Sequence, residues 1–132
     1  MSRIRSKGTK PEGRLYQIVR RALGRRLRID RNVADLPGQP DVVIPSLKIA
    51  LFADGCFYHS CPKHGHTPHS RRAYWVPKLA RNLRRHTQHG RALRKRGYRV
   101  WRFWEHDLKG LKARSTELLI TRRLAKLRMP YR

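Results

Sequence analysis

The sequence predicts a single domain of the α/β or α+β kind, a sandwich of helices around a small mixed sheet. Three observations lead there. Apolar residues recur at helical spacing in three basic segments. Short β-branched and aromatic runs such as Val42-Val43-Ile44 and Ile49-Ala50-Leu51-Phe52 stand between them. A length of 132 residues with 39% apolar content supports one modest core.

Residues 1–8 are basic, carry little apolar content and read as an arm preceding one domain over 9–132. Thr9-Lys10-Pro11-Glu12 has capping-box spacing, with Thr9 as N-cap and Glu12 three residues on. Leu15, Ile18, Val19, Ala22 and Leu23 continue at helical spacing, and Gly24 can close the helix. Residues 26–33 are basic and read as extended, and Leu36-Pro37-Gly38-Gln39-Pro40 has turn chemistry. Asp41–Ile44 and Lys48–Phe52 read as two strands joined at Pro45-Ser46. Residues 55–72 lack periodicity, and so long a stretch in a small domain needs something to organise it. A basic helix follows over 73–96, ending at Gly97, then an aromatic strand from Tyr98 to Trp104. A last basic helix over 111–127 carries Leu111, Leu118, Leu119, Leu124 and Leu127.

Lys and Arg number 33 against 8 Asp and Glu, a formal net charge of +25. Such a chain repels itself unless a polyanion is near, so nucleic acid is the expected partner. Charge identifies a partner and not an activity: a ribosomal or nucleoid protein would satisfy it as well as a nuclease. No apolar run approaches the roughly 20 residues of a membrane span. The basic start is not followed by the apolar stretch of a secretory signal, so the cytoplasm is the expected compartment, with association to the nucleoid when on DNA.

Cys56 and Cys61 stand among His59, His64, His66 and His69. Thiolate and imidazole at short spacing suit a closed tetrahedral zinc site, and a bound ion would order the loop. Cys56, Cys61 and His64 supply three ligands and His106 is the candidate fourth, although spacing does not choose among His64, His66 and His69. The alternative is a set of solvated histidines with the cysteines as small buried apolar residues.

The scarce acids can be weighed singly. Asp30, Asp35, Asp107 and Glu117 sit among bases, where surface ion pairs account for them. Asp41 opens an apolar strand and Asp54 ends the next. Two acids at neighbouring strand ends, with a helical Glu12 able to approach, is how nucleases hold Mg²⁺. Capping would equally account for Glu12, and a strand-end turn for Asp41.

Pro37-Gly38-Gln39-Pro40-Asp41, Phe52-Ala53-Asp54-Gly55-Cys56-Phe57-Tyr58-His59 and Trp104-Glu105-His106 resemble, in order, the very short patch repair (Vsr-type) endonucleases. These belong to the PD-(D/E)XK nuclease superfamily. The resemblance runs from about Ser6 to Leu108 and implies a three-layer sandwich with a small mixed sheet flanked by helices. It implies a Mg²⁺-dependent nick 5′ to the thymine of a T·G mismatch left by deamination of 5-methylcytosine. Asp41 then corresponds to the metal-binding aspartate, Ala53 to a backbone-carbonyl ligand, His59 to the general base and Glu12 to a glutamate of the site. A histidine, with an unperturbed pKa of about 6.5, suits that proton transfer. Asp54 is either a direct Mg²⁺ ligand or a support to one.

The same resemblance selects Cys56, Cys61, His64 and His106 as zinc ligands stapling loop 55–72. Phe57, Tyr58 and Trp75 correspond to rings that wedge beside the mismatch, where unstacking costs least. Ordinary core packing is the other account of Phe57 and Trp75. Lys78 and Asn82 correspond to contacts with the mismatch region. One departure matters: His86 stands where the family carries an aspartate that assists the catalytic histidine or its water. The expectation is therefore a monomeric endonuclease on mismatched double-stranded DNA. Two alternatives accompany it. One is a non-catalytic nucleic-acid-binding or ribonucleoprotein subunit that keeps the nuclease fold, favoured by His86 and the excess charge. The other is a related nuclease with a different target.

Overall fold

The computed structural model describes residues 10–55 and 72–128. Helix α1 (Pro11–Leu23) starts one residue later than capping-box spacing predicts. Lys10 is its N-cap and makes no side-chain cap bond. Pro11 sets this start, since proline at the first helical position lacks only an N–H that has no helical partner there. Glu12 therefore stands at the second helical position rather than the third, and Thr9 lies outside the described residues. The predicted end is correct: Gly24, at φ +67°, donates its N–H to Arg20 O at 2.7 Å.

Among the described residues four strands form one sheet in sequence order: β1 (Asp30–Arg31), β2 (Val42–Ile44), β3 (Ile49–Asp54) and β4 (Arg99–Trp104). The first three pair antiparallel, and β4 joins β3 in parallel. A parallel neighbour needs a crossover, and helix α2 (Arg72–Lys95) lies between the two strands in the chain. β2 begins at Val42 rather than Asp41, and the basic stretch 26–33 yields only the two-residue edge strand β1. The β2–β3 corner is a 3₁₀ turn over Pro45–Leu47 that Lys48 closes in the left-handed conformation, at φ 54°.

Alternation along β3 sorts two cores. Ile49 and Leu51 join Leu15, Ile18 and Val19 of α1 and Ile120 and Leu124 of helix α3 (Gly110–Arg128). Ala50 and Phe52 join Leu93 of α2 on the other face. The result is the predicted sandwich, a mixed sheet between α1 and α3 on one side and α2 on the other. In α3 the buried positions are Thr116, Ile120 and Leu124, one turn apart, while Leu111, Leu118 and Leu119 face solvent. Among the described residues no helix is long and apolar enough to cross a membrane.

Candidate active site

The site forms where the β2–β3 ladder stops. Asp41 N–H donates to Leu51 O at 3.1 Å, and the preceding carbonyl, of Pro40, accepts from Val33 N–H at 3.1 Å. Beyond that point Ala53 N–H donates to the Asp41 side chain, at 2.8 Å from Oδ2. The N–H and C=O of one residue in an extended strand point to the same edge, so the Ala53 carbonyl faces the Asp41 side as well.

Burial pushes the Asp41 carboxyl up from an ordinary 3.8 to about 6. The Ala53 hydrogen bond works against this, the negative charges of Glu12 and Asp54 add to it, and Arg102 opposes it. The first turn of α1 and the end of β3 thus bring Glu12 and Asp54 within electrostatic reach of Asp41. These are the acids that the sequence singled out. Three others form surface pairs: Asp30 with Arg28 at 3.0 Å, Glu117 with Arg21 at 3.0 Å and Asp107 with Lys112 at 3.9 Å.

A pocket of about 210 Å³ opens over Asp41, Ala53 and Asp54, with His86 and His89 of α2 and Arg102 of β4 on its other walls. Two of these residues, His89 and Arg102, escaped sequence reasoning. Arg102 has the strand parity of Val100, which packs against the α2 side, so period-two counting along β4 could have found it. It donates from Nη1 to Asp54 Oδ1 at 2.9 Å and lies 4.1 Å over the Phe52 ring. His89 follows His86 by three residues and shares its helical face. Gly38 makes room for it: at φ +77°, a Cβ there would fall 3.0 Å from His89 Cβ and 3.1 Å from Nδ1. Gln39 N–H donates to Leu36 O at 3.0 Å, so the predicted Pro-Gly turn is the loop that presents this glycine.

Trp75, Lys78 and Asn82 precede His86 and His89 along one face of α2 at helical spacing. Half-buried Trp75 meets Tyr74 edge to face with ring centroids 5.1 Å apart, and Lys78 Nζ lies 5.7 Å from the Tyr74 ring centre. Asn82 Oδ1 accepts from Arg85 Nη2 at 3.2 Å. The predicted base His59, the rings of Phe57 and Tyr58, and the predicted zinc ligands Cys56, Cys61 and His64 lie outside the described residues. His106 sits in the 3₁₀ turn Glu105–Leu108 with Nε2 3.4 Å from Asp107 Oδ1.

Among the described residues no three of His, Cys, Asp and Glu are grouped so as to hold a metal ion. The donor set nevertheless fits a hard divalent cation. Mg²⁺ keeps several waters and takes one or two carboxylates plus substrate phosphates, so a half-buried carboxylate beside a carbonyl suffices. Zinc in a structural site needs four protein ligands, of which only His106 is among the described residues.

The chain is similar to known proteins. The family described as DNA mismatch endonuclease Vsr matches residues 1–66. The chain is 42% identical over 110 residues to the type II nicking enzyme V.NaeI of Lentzea aerocolonigenes, covering 81% of this chain and 66% of that protein. It is 39% identical over 120 residues to the type II nicking enzyme V.XorIIP of Xanthomonas oryzae pv. oryzae, covering 89% of this chain and 85% of the relative. It is 31% identical over 127 residues to the DNA mismatch endonuclease Vsr of Escherichia coli, covering 92% and 77% respectively.

Proposed function

The chain belongs to the DNA mismatch endonuclease Vsr family, a family of DNA endonucleases, and from that premise we propose that it nicks one strand of duplex DNA at a T·G mismatch with Mg²⁺ as cofactor. One observation carries the metal half of this reading. The Asp41 carboxylate is anchored on Ala53 N–H at 2.8 Å, beside the carbonyl of the same residue, with Glu12 and Asp54 close enough to act on its ionisation.

Asp41 and the Ala53 carbonyl would hold the ion, with Glu12 and Asp54 as neighbouring acids. When bound, Mg²⁺ neutralises phosphate charge and lowers the pKa of a water. This chain's own residues do the rest. The Ala53 hydrogen bond fixes one oxygen of Asp41, so the other is directed without reorganisation during the reaction. Arg102, on the pocket wall and fixed by Asp54, would face the phosphate as a cation. His59 would take the proton from the attacking water.

Phe57, Tyr58 and Trp75 would wedge beside the mismatch, with Lys78 and Asn82 contacting its surroundings; a weakly stacked T·G pair opens at the lowest cost. Zinc held by Cys56, Cys61, His64 and His106 would staple loop 55–72. With Nε2 of His106 on Asp107, ligation would fall to Nδ1, an arrangement in which a carboxylate orients the metal-bound ring. The enzyme would act as a monomer.

A second reading keeps the fold as a non-catalytic nucleic-acid-binding subunit, and His86 in the pocket favours it, since the resemblance implies a carboxylate there. Incubation with Mg²⁺ and a labelled duplex bearing one T·G pair separates the two, with a matched duplex and Asp41→Ala alongside. Nicking of the mismatched strand alone, lost in Asp41→Ala, is expected. Binding without cleavage would establish the second reading, and equal cleavage of both duplexes would keep the nuclease and reject mismatch selection.

A further inference from the structure

A second pocket, of about 340 Å³, adjoins the first and shares His86 and Arg102 with it. Thr87, Gly90, Arg94 and Val100 complete its walls, so it is lined by two guanidinium groups and an imidazole, with no carboxylate. One of the two arginines is held in place. Arg102 is fixed by Asp54 at 2.9 Å and by the Phe52 ring at 4.1 Å. The Arg94 guanidinium lies beside Gly90 one turn back, with Nη1 and Nη2 3.5 and 3.7 Å from where a Cβ of that residue would stand. Two arginines on the wall of one cavity can offer paired N–H donors to the tetrahedral oxygens of a phosphate.

We propose that this pocket is a second phosphate subsite, which takes a phosphodiester of the cleaved strand next to the one at the Asp41 pocket. The inference rests on the nuclease reading for the identity of the strand, and on the pocket alone for its phosphate chemistry. Arg102, on the wall between the pockets, would face both groups, while Arg94 belongs to the second alone. Gripping two consecutive phosphates fixes the strand's direction as well as its position, which a single cationic contact does not do.

The test uses the full chain carrying Asp41→Asn, so that substrate stays intact, with and without Arg94→Gln. On a matched duplex, Arg94→Gln is expected to lower the slope of log affinity against log salt by about one. On a T·G duplex carrying one neutral methylphosphonate at successive linkages, one linkage besides the cut one is expected to weaken binding about tenfold when Arg94 is present. The same linkage should have little effect once Arg94 is Gln, because the two changes remove one contact. Arg94→Lys should keep the salt slope and lose part of the linkage effect, having charge without the fork. An unchanged salt slope overturns the subsite whatever the enzyme cuts, as does independence of the two changes at every linkage on a duplex that the unsubstituted chain nicks. Absence of nicking by the unsubstituted chain, with the slope reduced, overturns the nuclease reading and leaves the subsite standing.

Discussion

Arg102 reaches from β4 to Asp54 on the parallel neighbour β3, with Nη1 2.9 Å from Oδ1, and leaves the Asp54 side chain only 9% exposed. A carboxylate so placed depends on its cation, since removing one partner of a buried pair strands the other charge. Arg102→Met is therefore expected to destabilise the fold by about 3 kcal/mol in urea denaturation. Asp54→Asn should cost clearly less, because an amide oxygen can still accept from Nη1. Equal losses in the two variants would contradict the dependence. Since Arg102 also lowers the Asp41 pKa, Arg102→Met should move the acid limb of nicking to higher pH.

Asp41 makes the metal-free protein less stable at neutral pH. Its folded pKa of about 6 lies above the ordinary 3.8, so the fold favours the protonated form. The stabilising contribution is complete below about 3.8 and is lost as pH rises through about 6. The full gap is worth on the order of 3 kcal/mol at pH 7. Asp41→Asn keeps an oxygen for Ala53 N–H and carries no charge, so without divalent metal it should be about 1–2 kcal/mol more stable at pH 7 and no more stable at pH 4. Mg²⁺ should raise the melting temperature of the unsubstituted chain and not of the variant. A variant less stable at pH 7 would overturn this account.

The acids show how much of the site was legible in the sequence. With so few of them, the strand-end positions of Asp41 and Asp54 stood out, and topology does bring both to the Ala53 end of β3 together with Glu12. The helices and the paired strands were legible because periodicity and turn residues agreed along most of the chain. Glu12 was less clear: the capping spacing was present, yet Pro11 overrode it by starting the helix one residue on. Of the stretch that reads as extended over 26–33 only Asp30–Arg31 pairs, because a two-residue edge strand carries no alternation to set its bounds. Arg102 and His89 were hidden for another reason. Both look like ordinary members of a basic helix and a basic strand, and only the crossover through α2 brings them over the carboxylates. Leu111, Leu118 and Leu119 match helical spacing on α3 but face solvent, since its buried stripe runs through Thr116, Ile120 and Leu124.

Gly38 should tolerate no side chain. Its φ of +77° strains an L-residue, and a Cβ would press within about 3 Å of three atoms of His89. Gly38→Ala is expected to cost roughly 1–3 kcal/mol in denaturant unfolding, with the positive φ and the contact both contributing. Gly38→Ala combined with His89→Ala removes the contact and keeps the backbone strain, so the double variant should recover part of the loss relative to the sum of the two single changes. Strict additivity would show that the contact with His89 carries none of it.

His86→Asp tests the departure from the resembled pattern that bears on the chemistry. The residue lines both pockets, so its charge acts on metal and phosphate together. A carboxylate there would orient a water or imidazole better than a ring does, which raises turnover at saturating DNA. It would also repel the phosphate beside Arg94 and Arg102 and weaken duplex binding. The expected result is therefore a split, with kcat rising and affinity falling, measured by nicking and by equilibrium binding on the same T·G duplex. A further negative charge near Asp41 holds its proton more tightly, so the acid limb of nicking should move to higher pH. His86→Asn separates the effects, since it removes the ring without adding charge and should leave that limb in place. Lower turnover in both His86→Asp and His86→Asn than in the unsubstituted chain would mean that this chain uses the imidazole itself, as a phosphate-facing group shared by two adjoining pockets.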